Sequence, residues 1–179
     1  LEHWPGDHSL RHVQVHFQAT VPANGAVVYH FGDGGPLAPA EPVSLIQAGA
    51  ALTITTGPLR LRLNTAAFNL FDAVWFDANG NRIYEAGEQI VAPHGQNGGV
   101  FTPRAGAGAV QYDAGRNDLA VTIEQSGPLV VVVRVEAPAR FVSTTNHLHG
   151  FAARIYAYAG QAMLKVDYQL QNSDKTVVR

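Results

Sequence analysis

The sequence contains no cysteine among its 179 residues. It therefore has no disulfide bonds to brace a small fold, no thiolate ligands for zinc and no cysteine nucleophile. Stability has to come from a hydrophobic core, and with 46% hydrophobic residues in one domain's length the chain can build one.

Charge is also scarce, since charged residues make up 15% of the chain and the formal net charge is -2. So few charges argue against a long solvated helix or coiled coil, and the lack of a basic excess argues against nucleic acid as the main partner. The longest uncharged apolar run, residues 129–133, is far shorter than the ~20 residues that span a bilayer. We therefore expect neither a nucleic-acid nor a membrane partner.

Alternation of apolar and polar residues is the dominant pattern. In residues 10–19, Val13, Val15 and Phe17 alternate with polar side chains, which is typical of a half-buried strand. Further strands are predicted at residues 26–31, 52–55, 59–63, 73–76, 82–84, 119–124, 129–136, 152–158 and 162–170, with Asn79-Gly80 as the hairpin turn after 73–76. No helical pattern exceeds three turns, so we predict one all-β domain over residues 1–179.

Two features suggest how these strands are arranged. The run at residues 129–133 is apolar on both faces and is predicted to be a central strand. A strand with Thr-Ile, a Gly-Pro turn and a second apolar strand occurs at residues 52–59 and again at residues 121–129. We interpret this sequence repeat as two halves, related by a pseudo-twofold axis, of a single closed or partly open β-barrel. The alternative is that the two hairpins are similar by chance.

Residues able to carry chemistry are few. In an extended segment His147 and His149 point the same way and could share a metal, but no further ligand can be assigned, and a surface loop is the simpler interpretation. Asp77, Asn79 and Asn81 imitate half of a calcium loop, yet the required glycine is misplaced, so a hairpin turn is predicted. We predict no catalytic residue, no metal and no cofactor.

The segment Trp4-Pro5-Gly6-Asp7-His8-Ser9-Leu10-Arg11-His12-Val13 resembles the opening Trp-Pro-Asp-Gly-Ser-x-Arg-x-Val of exo-rhamnogalacturonan lyase-like proteins. Residues 127–136 and 154–161 resemble later parts of the same family. The resemblance implies an N-terminal barrel of the swapped-hairpin (RIFT) type, which in that family precedes a large helical toroid. Gly6-Asp7-His8-Ser9 is inverted and one residue longer than the Asp-Gly-Ser of the family pattern, so the resemblance assigns no role to Asp7.

From this resemblance we expect a non-catalytic β-domain of a secreted, pectin-degrading polysaccharide lyase, packed against or lining the cleft of a catalytic domain in the remainder of the parent chain. The chain begins without methionine and is expected to be a piece of a longer protein, with an extracellular or periplasmic location favoured over the cytoplasm. A polysaccharide is the possible ligand, and its candidate binding residues are Trp4, Arg11, His147, His149, Arg154 and Tyr156.

Two alternatives stay open. The chain could be a free-standing carbohydrate-binding or adhesion module in which Trp4, Trp75 or Tyr156 stacks on sugar rings. It could also be a small metal-dependent β-barrel enzyme that uses His147 and His149.

Overall fold

A computed structural model describes residues 2–32, 35, 38–66, 68–93, 119–137, 140–143, 146–148 and 150–171, and for 140–143 and 146–148 it describes the backbone alone. The chain divides into two compact units, Leu1–Ala38 and Pro39–Arg179. No helix in the described ranges is long and apolar enough to cross a membrane.

The secondary structure of the described residues is almost entirely strand. The strands are β1 (Glu2–His3), β2 (Leu10–His12), β3 (Ser44–Ala48), β4 (Ala51–Thr55), β5 (Leu59–Asn64), β6 (Ala73–Phe76), β7 (Gln89–Val91), β8 (Ala120–Ser126), β9 (Val130–Ala137), β10 (Arg140–Ser143), β11 (Asn146–Leu148), β12 (Gly150–Tyr158) and β13 (Leu164–Gln171). One 3-10 turn, Ala86–Glu88, precedes β7. The prediction of an all-β chain is confirmed.

The first sheet of the second unit has five antiparallel strands in the order β3-β4-β5-β6-β7. Leu52 and Ile54 of β4 and Leu61 and Leu63 of β5 are almost completely buried, and the residues between them are partly exposed. This is the alternation read from the sequence, because successive side chains of a strand point to opposite faces. The sheet therefore has one apolar inner face and one polar outer face.

The second sheet has four antiparallel strands in the order β13-β12-β9-β8. Its strand β9 lies between β12 and β8, and Val130, Val131, Val132 and Val133 are all buried. The prediction that this apolar run forms a central strand is confirmed.

The inner faces of the two sheets form one core. A single cluster of buried residues includes Leu61 and Leu63 from the five-stranded sheet and Val133, Val135 and Ile155 from the four-stranded sheet. Two sheets that share a core in this way form a β-sandwich.

The expected barrel is wrong. Within the described residues β3, β7, β8 and β13 each pair on one side only, so neither sheet closes into a cylinder. The repeated hairpins are not equivalent either, because β4 has a strand on each side, whereas β8 has one. Their similarity reflects the same local turn chemistry and gives no twofold arrangement of strands.

The first unit differs from the predicted pattern. Of the strand expected at residues 10–19, only Leu10–His12 pairs, with β1, and residues 26–31 form no ladder. All described residues up to Ala38 are exposed, including Val13, Val15 and Phe17 at 45–53%. Alternation therefore occurs here without a partner strand or a buried face, and the sequence pattern alone does not create one.

One end of the sandwich is locked by hydrogen bonds between turns. The Thr56 hydroxyl, which is completely buried, donates to the carbonyl of Gln161 at 2.8 Å, and the Gly160 N–H donates to the Thr56 carbonyl at 2.7 Å. The Ala159 N–H donates to the Leu129 carbonyl at 2.9 Å. These bonds connect the β4–β5, β8–β9 and β12–β13 turns, so they fix one sheet against the other.

The hairpin predicted between residues 73–76 and 82–84 is formed differently. Strand β6 pairs with β7, and residues 82–84 belong to the connection between them. The buried Asp77 carboxylate accepts the N–H of Asn81 at 3.1 Å, the N–H of Arg82 at 3.0 Å and the Arg82 guanidinium at 3.1 Å. The predicted hairpin between these two segments is therefore wrong: the chain does turn after β6, but the Asp77 bonds hold a wider loop that leads to β7.

Candidate functional site

Two predicted ligand-binding residues, Trp4 and Arg11, lie together in the first unit. The Arg11 guanidinium carbon is 4.9 Å from the centroid of the Trp4 ring, and Trp4 is 51% exposed. The turn between β1 and β2 brings them together, because the Trp4 N–H donates to the Ser9 carbonyl at 2.9 Å and Asp7 accepts the Ser9 hydroxyl at 2.7 Å. The hydroxyl bond lowers the pKa of Asp7, so this carboxylate acts as a turn-forming group.

Two others, Arg154 and Tyr156, lie on the outer face of the four-stranded sheet. Arg154 Nε is 3.0 Å and 2.9 Å from the two carboxylate oxygens of Glu124. Glu124 can reach it because an irregularity in the β8–β9 register falls between Ile123 and Gln125. The hydrogen bond to Glu124 raises the pKa of Arg154, so this guanidinium already has an anionic partner.

The remaining charges on that face are paired as well. Arg134 contacts Glu136 at 2.5 Å, and Lys165 contacts Asp167 at 2.9 Å while its ammonium lies 4.5 Å from the Tyr156 ring centroid. Burial raises the pKa of Tyr156 and is the larger cause, and a hydrogen bond with Asp167 raises this pKa further. The cations on the outer face of the four-stranded sheet are thus paired with acidic side chains of the same face. A ligand carboxylate would have to displace Glu124 to bind Arg154.

The last two predicted residues cannot be placed as a pair. His147 lies in β11, where its backbone is opposite Phe141, and its side chain is outside what the structure describes. His149 lies outside the described residues. No group of three or more histidine and acidic side chains that could hold a metal occurs in the described part of the chain.

A different cluster lies on the outer face of the five-stranded sheet. Arg60 of β5 is directly opposite Trp75 of β6, and the Arg62 guanidinium carbon is 6.0 Å from the Trp75 ring centroid. The Arg60 guanidinium carbon lies 4.1 Å from the ring centroid of Tyr84. These four side chains, Arg60, Arg62, Trp75 and Tyr84, are named here the arginine–aromatic cluster.

Tyr84 is fixed by a loop that returns to the sheet. Its hydroxyl donates to the Gly57 carbonyl at 2.6 Å, and burial raises its pKa while the positive charge of Arg60 opposes the shift. The ring is therefore held against Arg60 in its neutral form, as a fixed surface for the guanidinium.

The two arginines of this cluster differ in their ionic partners. Arg62 Nε is 2.6 Å from Asp72 Oδ2. Arg60 forms no ion pair with any described acidic residue, and its buried Nε has no hydrogen-bond acceptor within the described part of the chain. The buried Nε is out of reach of a ligand, so an external anion has to bind the terminal nitrogens of Arg60, which no described carboxylate occupies.

This cluster was only partly visible in the sequence. The alternation Leu59-Arg60-Leu61-Arg62-Leu63 places both arginines on one strand face, and Trp75 was considered as a stacking residue. The contribution of Tyr84 was missed because it comes from the loop before β7, and loops carry no periodic signal for the direction of a side chain.

Comparison with known proteins yields one family match. A family model described as "PcRGLX-like protein central beta sandwich domain" matches residues 43–176. No curated protein and no solved structure gave a significant match. The match begins within the second unit and covers both sheets of the sandwich. It is consistent with the rhamnogalacturonan lyase-like resemblance, and it describes a central sandwich where an N-terminal barrel was expected.

Proposed function

Because the chain belongs to the family of PcRGLX-like central β-sandwich domains, we propose that it is the non-catalytic β-domain of a protein related to the rhamnogalacturonan lyases. Its role is to pack against a catalytic domain of the same protein and to form one side of the sugar cleft. The observation that carries this proposal is the family match over residues 43–176, which includes the whole shared core of the two sheets.

The surface of the sandwich supports a role beside another domain. Interfaces between domains of one chain are typically more polar than permanent subunit interfaces. The outer face of the four-stranded sheet has this character, since Arg154, Arg134 and Lys165 are ordered by Glu124, Glu136 and Asp167. Such a face can meet a neighbouring domain without exposing a large apolar patch when the two separate.

The test compares the 179-residue chain with the full-length protein encoded by the same gene. Each is incubated with rhamnogalacturonan and with other uronic polysaccharides, and the ultraviolet absorbance of unsaturated products is followed. We expect no product from the 179-residue chain. β-Elimination needs a base near C5 of the sugar and a cation that binds the sugar carboxylate, both in one site, and we predict no catalytic residue in this chain. The full-length protein is expected to form product.

Two results would contradict the proposal. One is turnover by the 179-residue chain that disappears on replacing His147 or His149 with alanine, which would favour the metal-dependent or histidine-based alternative. The other is a full-length protein that cleaves none of these polymers. Circular dichroism of each variant serves as the control that it is folded.

A carbohydrate-binding role is the second candidate, and one specific observation favours it. The arginine–aromatic cluster combines a guanidinium that pairs with no described carboxylate and a partly exposed indole on the outer face of the sheet. This role is compatible with the first, because a non-catalytic domain can hold the polymer that its neighbour cleaves.

A further inference from the structure

The arginine–aromatic cluster belongs to a longer row of side chains. Ser44, Thr55, Arg60, Trp75 and Gln89 are successive cross-strand partners on the outer face of the five-stranded sheet. Because neighbouring strands lie about 4.8 Å apart, the row extends over about 19 Å. It contains a hydroxyl pair at one end, an amide at the other, and the guanidinium and indole in the middle. We name these five residues the cross-strand row.

Arg60, in the middle of this row, is the member that can still bind an anion. The Arg60 guanidinium is held over the Tyr84 ring, and no described carboxylate pairs with it. Holding the guanidinium against a ring reduces the conformational entropy lost when an anion binds. Arg154 on the other sheet does not have this free binding capacity, because its Nε already donates to the carboxylate of Glu124.

The neighbours of Arg60 define the kind of ligand. A guanidinium prefers the planar, bidentate geometry of a carboxylate, and an indole face accepts the apolar face of a ring. The hydroxyls of Ser44 and Thr55 and the amide of Gln89 can each donate and accept hydrogen bonds, as ligand hydroxyl groups require. A carboxylate, an apolar ring face and many hydroxyls occur together in a uronic sugar. A flat row across five strands suits an extended chain of such sugars better than a small enclosed molecule.

We propose that the cross-strand row binds a carboxylate-bearing polysaccharide, with Arg60 contacting a sugar carboxylate and Trp75 stacking on an adjacent ring. The proposal rests on the proposed function for its choice of a sugar polymer as the ligand. It adds a site and the residues that form it, which the family match does not assign.

The experiment titrates the 179-residue chain with oligomers of polygalacturonate, with the fully methyl-esterified oligomers, and with neutral dextran oligomers. Isothermal calorimetry gives the affinity. Tryptophan emission in a Trp4→Phe background reports Trp75 alone, since the chain has two tryptophans. We expect binding of the free acid with a change in Trp75 emission, binding about tenfold weaker after esterification, and none to dextran.

Variants locate the site. Arg60→Gln and Trp75→Ala are each expected to weaken binding of polygalacturonate about tenfold or more, and Arg60→Lys is expected to retain part of the affinity. Arg134→Gln is the matched control, because it removes an arginine of the other sheet that is paired with Glu136, and it is expected to leave the affinity unchanged. Thermal unfolding checks that each variant is folded, and Trp75→Phe replaces Trp75→Ala if the latter does not fold.

Three results would overturn the proposal: no binding of polygalacturonate, equal binding of the methyl ester, or equal losses for Arg60→Gln and Arg134→Gln. These outcomes are separable from the lyase test. A full-length protein that cleaves uronic polymers while the 179-residue chain binds none would reject the binding row and leave the proposed function intact. A full-length protein without lyase activity rejects the proposed function even where the row binds.

Discussion

At the scale of single residues, the properties of the charged side chains depend on their partners. Arg60 and Arg154 both lie on the outer face of a sandwich sheet, Arg60 near the start of β5 and Arg154 in the middle of β12. Arg154 is bound by Glu124, whereas Arg60 rests on Tyr84 and pairs with no described acidic residue. Two arginines that look equivalent in the sequence therefore differ in their capacity to bind an anion.

Gly57 gives a prediction at the same scale. Its φ is +105°, outside the range that other residues adopt easily, and a Cβ built there would lie 2.5 Å from Glu41 Oε2. We expect Gly57→Ala to lower the free energy of unfolding by about 2–3 kcal/mol, measured by urea denaturation. The same turn orders Tyr84 through the Gly57 carbonyl, so the change should also weaken the contact between Tyr84 and Arg60.

The matched control is Gly49→Ala. Gly49 has φ +59°, and nothing lies within 4 Å of a Cβ built there. Its substitution adds only the left-handed strain, about 1 kcal/mol. Equal costs at the two positions would show that neither the φ of +105° nor the approach to Glu41 makes Gly57→Ala more costly than Gly49→Ala.

At the scale of elements, the most informative strand is β9. Its inner side chains Val131, Val133 and Val135 are 0–1% exposed, and it has a hydrogen-bonded strand on each side. Each such side chain stabilises the fold by about 1.5–3 kcal/mol through burial alone. The edge strand β8 is less protected, since Ile123, the register partner of Val133, is 41% exposed.

We therefore expect Val133→Asp to destabilise the protein by about 4 kcal/mol or more, because an unpaired carboxylate would enter the shared core. The measurement is the midpoint of thermal or urea unfolding. Ile123→Asp is the control in the same row, and its cost should be clearly smaller because water can reach the new carboxylate. Tolerance of aspartate at position 133 would contradict the central placement of β9.

At the scale of the whole molecule, the two units contribute unequally to stability. Every residue of the buried core cluster comes from position 43 onward, and all described residues up to Ala38 are exposed. Phe17 contacts Tyr29 and Phe31 with ring centroids 5.6 Å and 5.4 Å apart, yet the three rings remain 41–68% exposed. The sandwich therefore contains the burial that stabilises the chain.

Deletion of residues 1–38 is accordingly expected to leave the free energy of unfolding within about 0.5 kcal/mol of that of the full chain. Urea denaturation of residues 39–179 measures it. Phe17→Ser in the full chain is the companion variant and should be equally neutral. A loss of several kcal/mol on deletion would mean that the first unit contributes substantially to the stability of the sandwich.

The sequence by itself determined the properties that depend on local backbone geometry. The period of two determines which side chains share a strand face, so it predicted the all-β class, and with the Gly-Pro turn signals it predicted the β4–β5 and β8–β9 hairpins. The same period failed in residues 10–19, because alternation does not provide the partner strand that a ladder requires.

Only the tertiary structure decided which elements become neighbours. Strand β6 pairs with β7 across a whole intervening loop, and Arg154 binds Glu124, 30 residues away. The edges of both sheets stay open within the described residues, which makes a sandwich instead of a barrel. Such contacts depend on how whole sheets twist and pack, and a sequence window of ten residues contains no information about that. Whether Arg60 has an ion-pair partner is decided in the same way, because it depends on where the fold places the acidic side chains, and none of the described ones pairs with it.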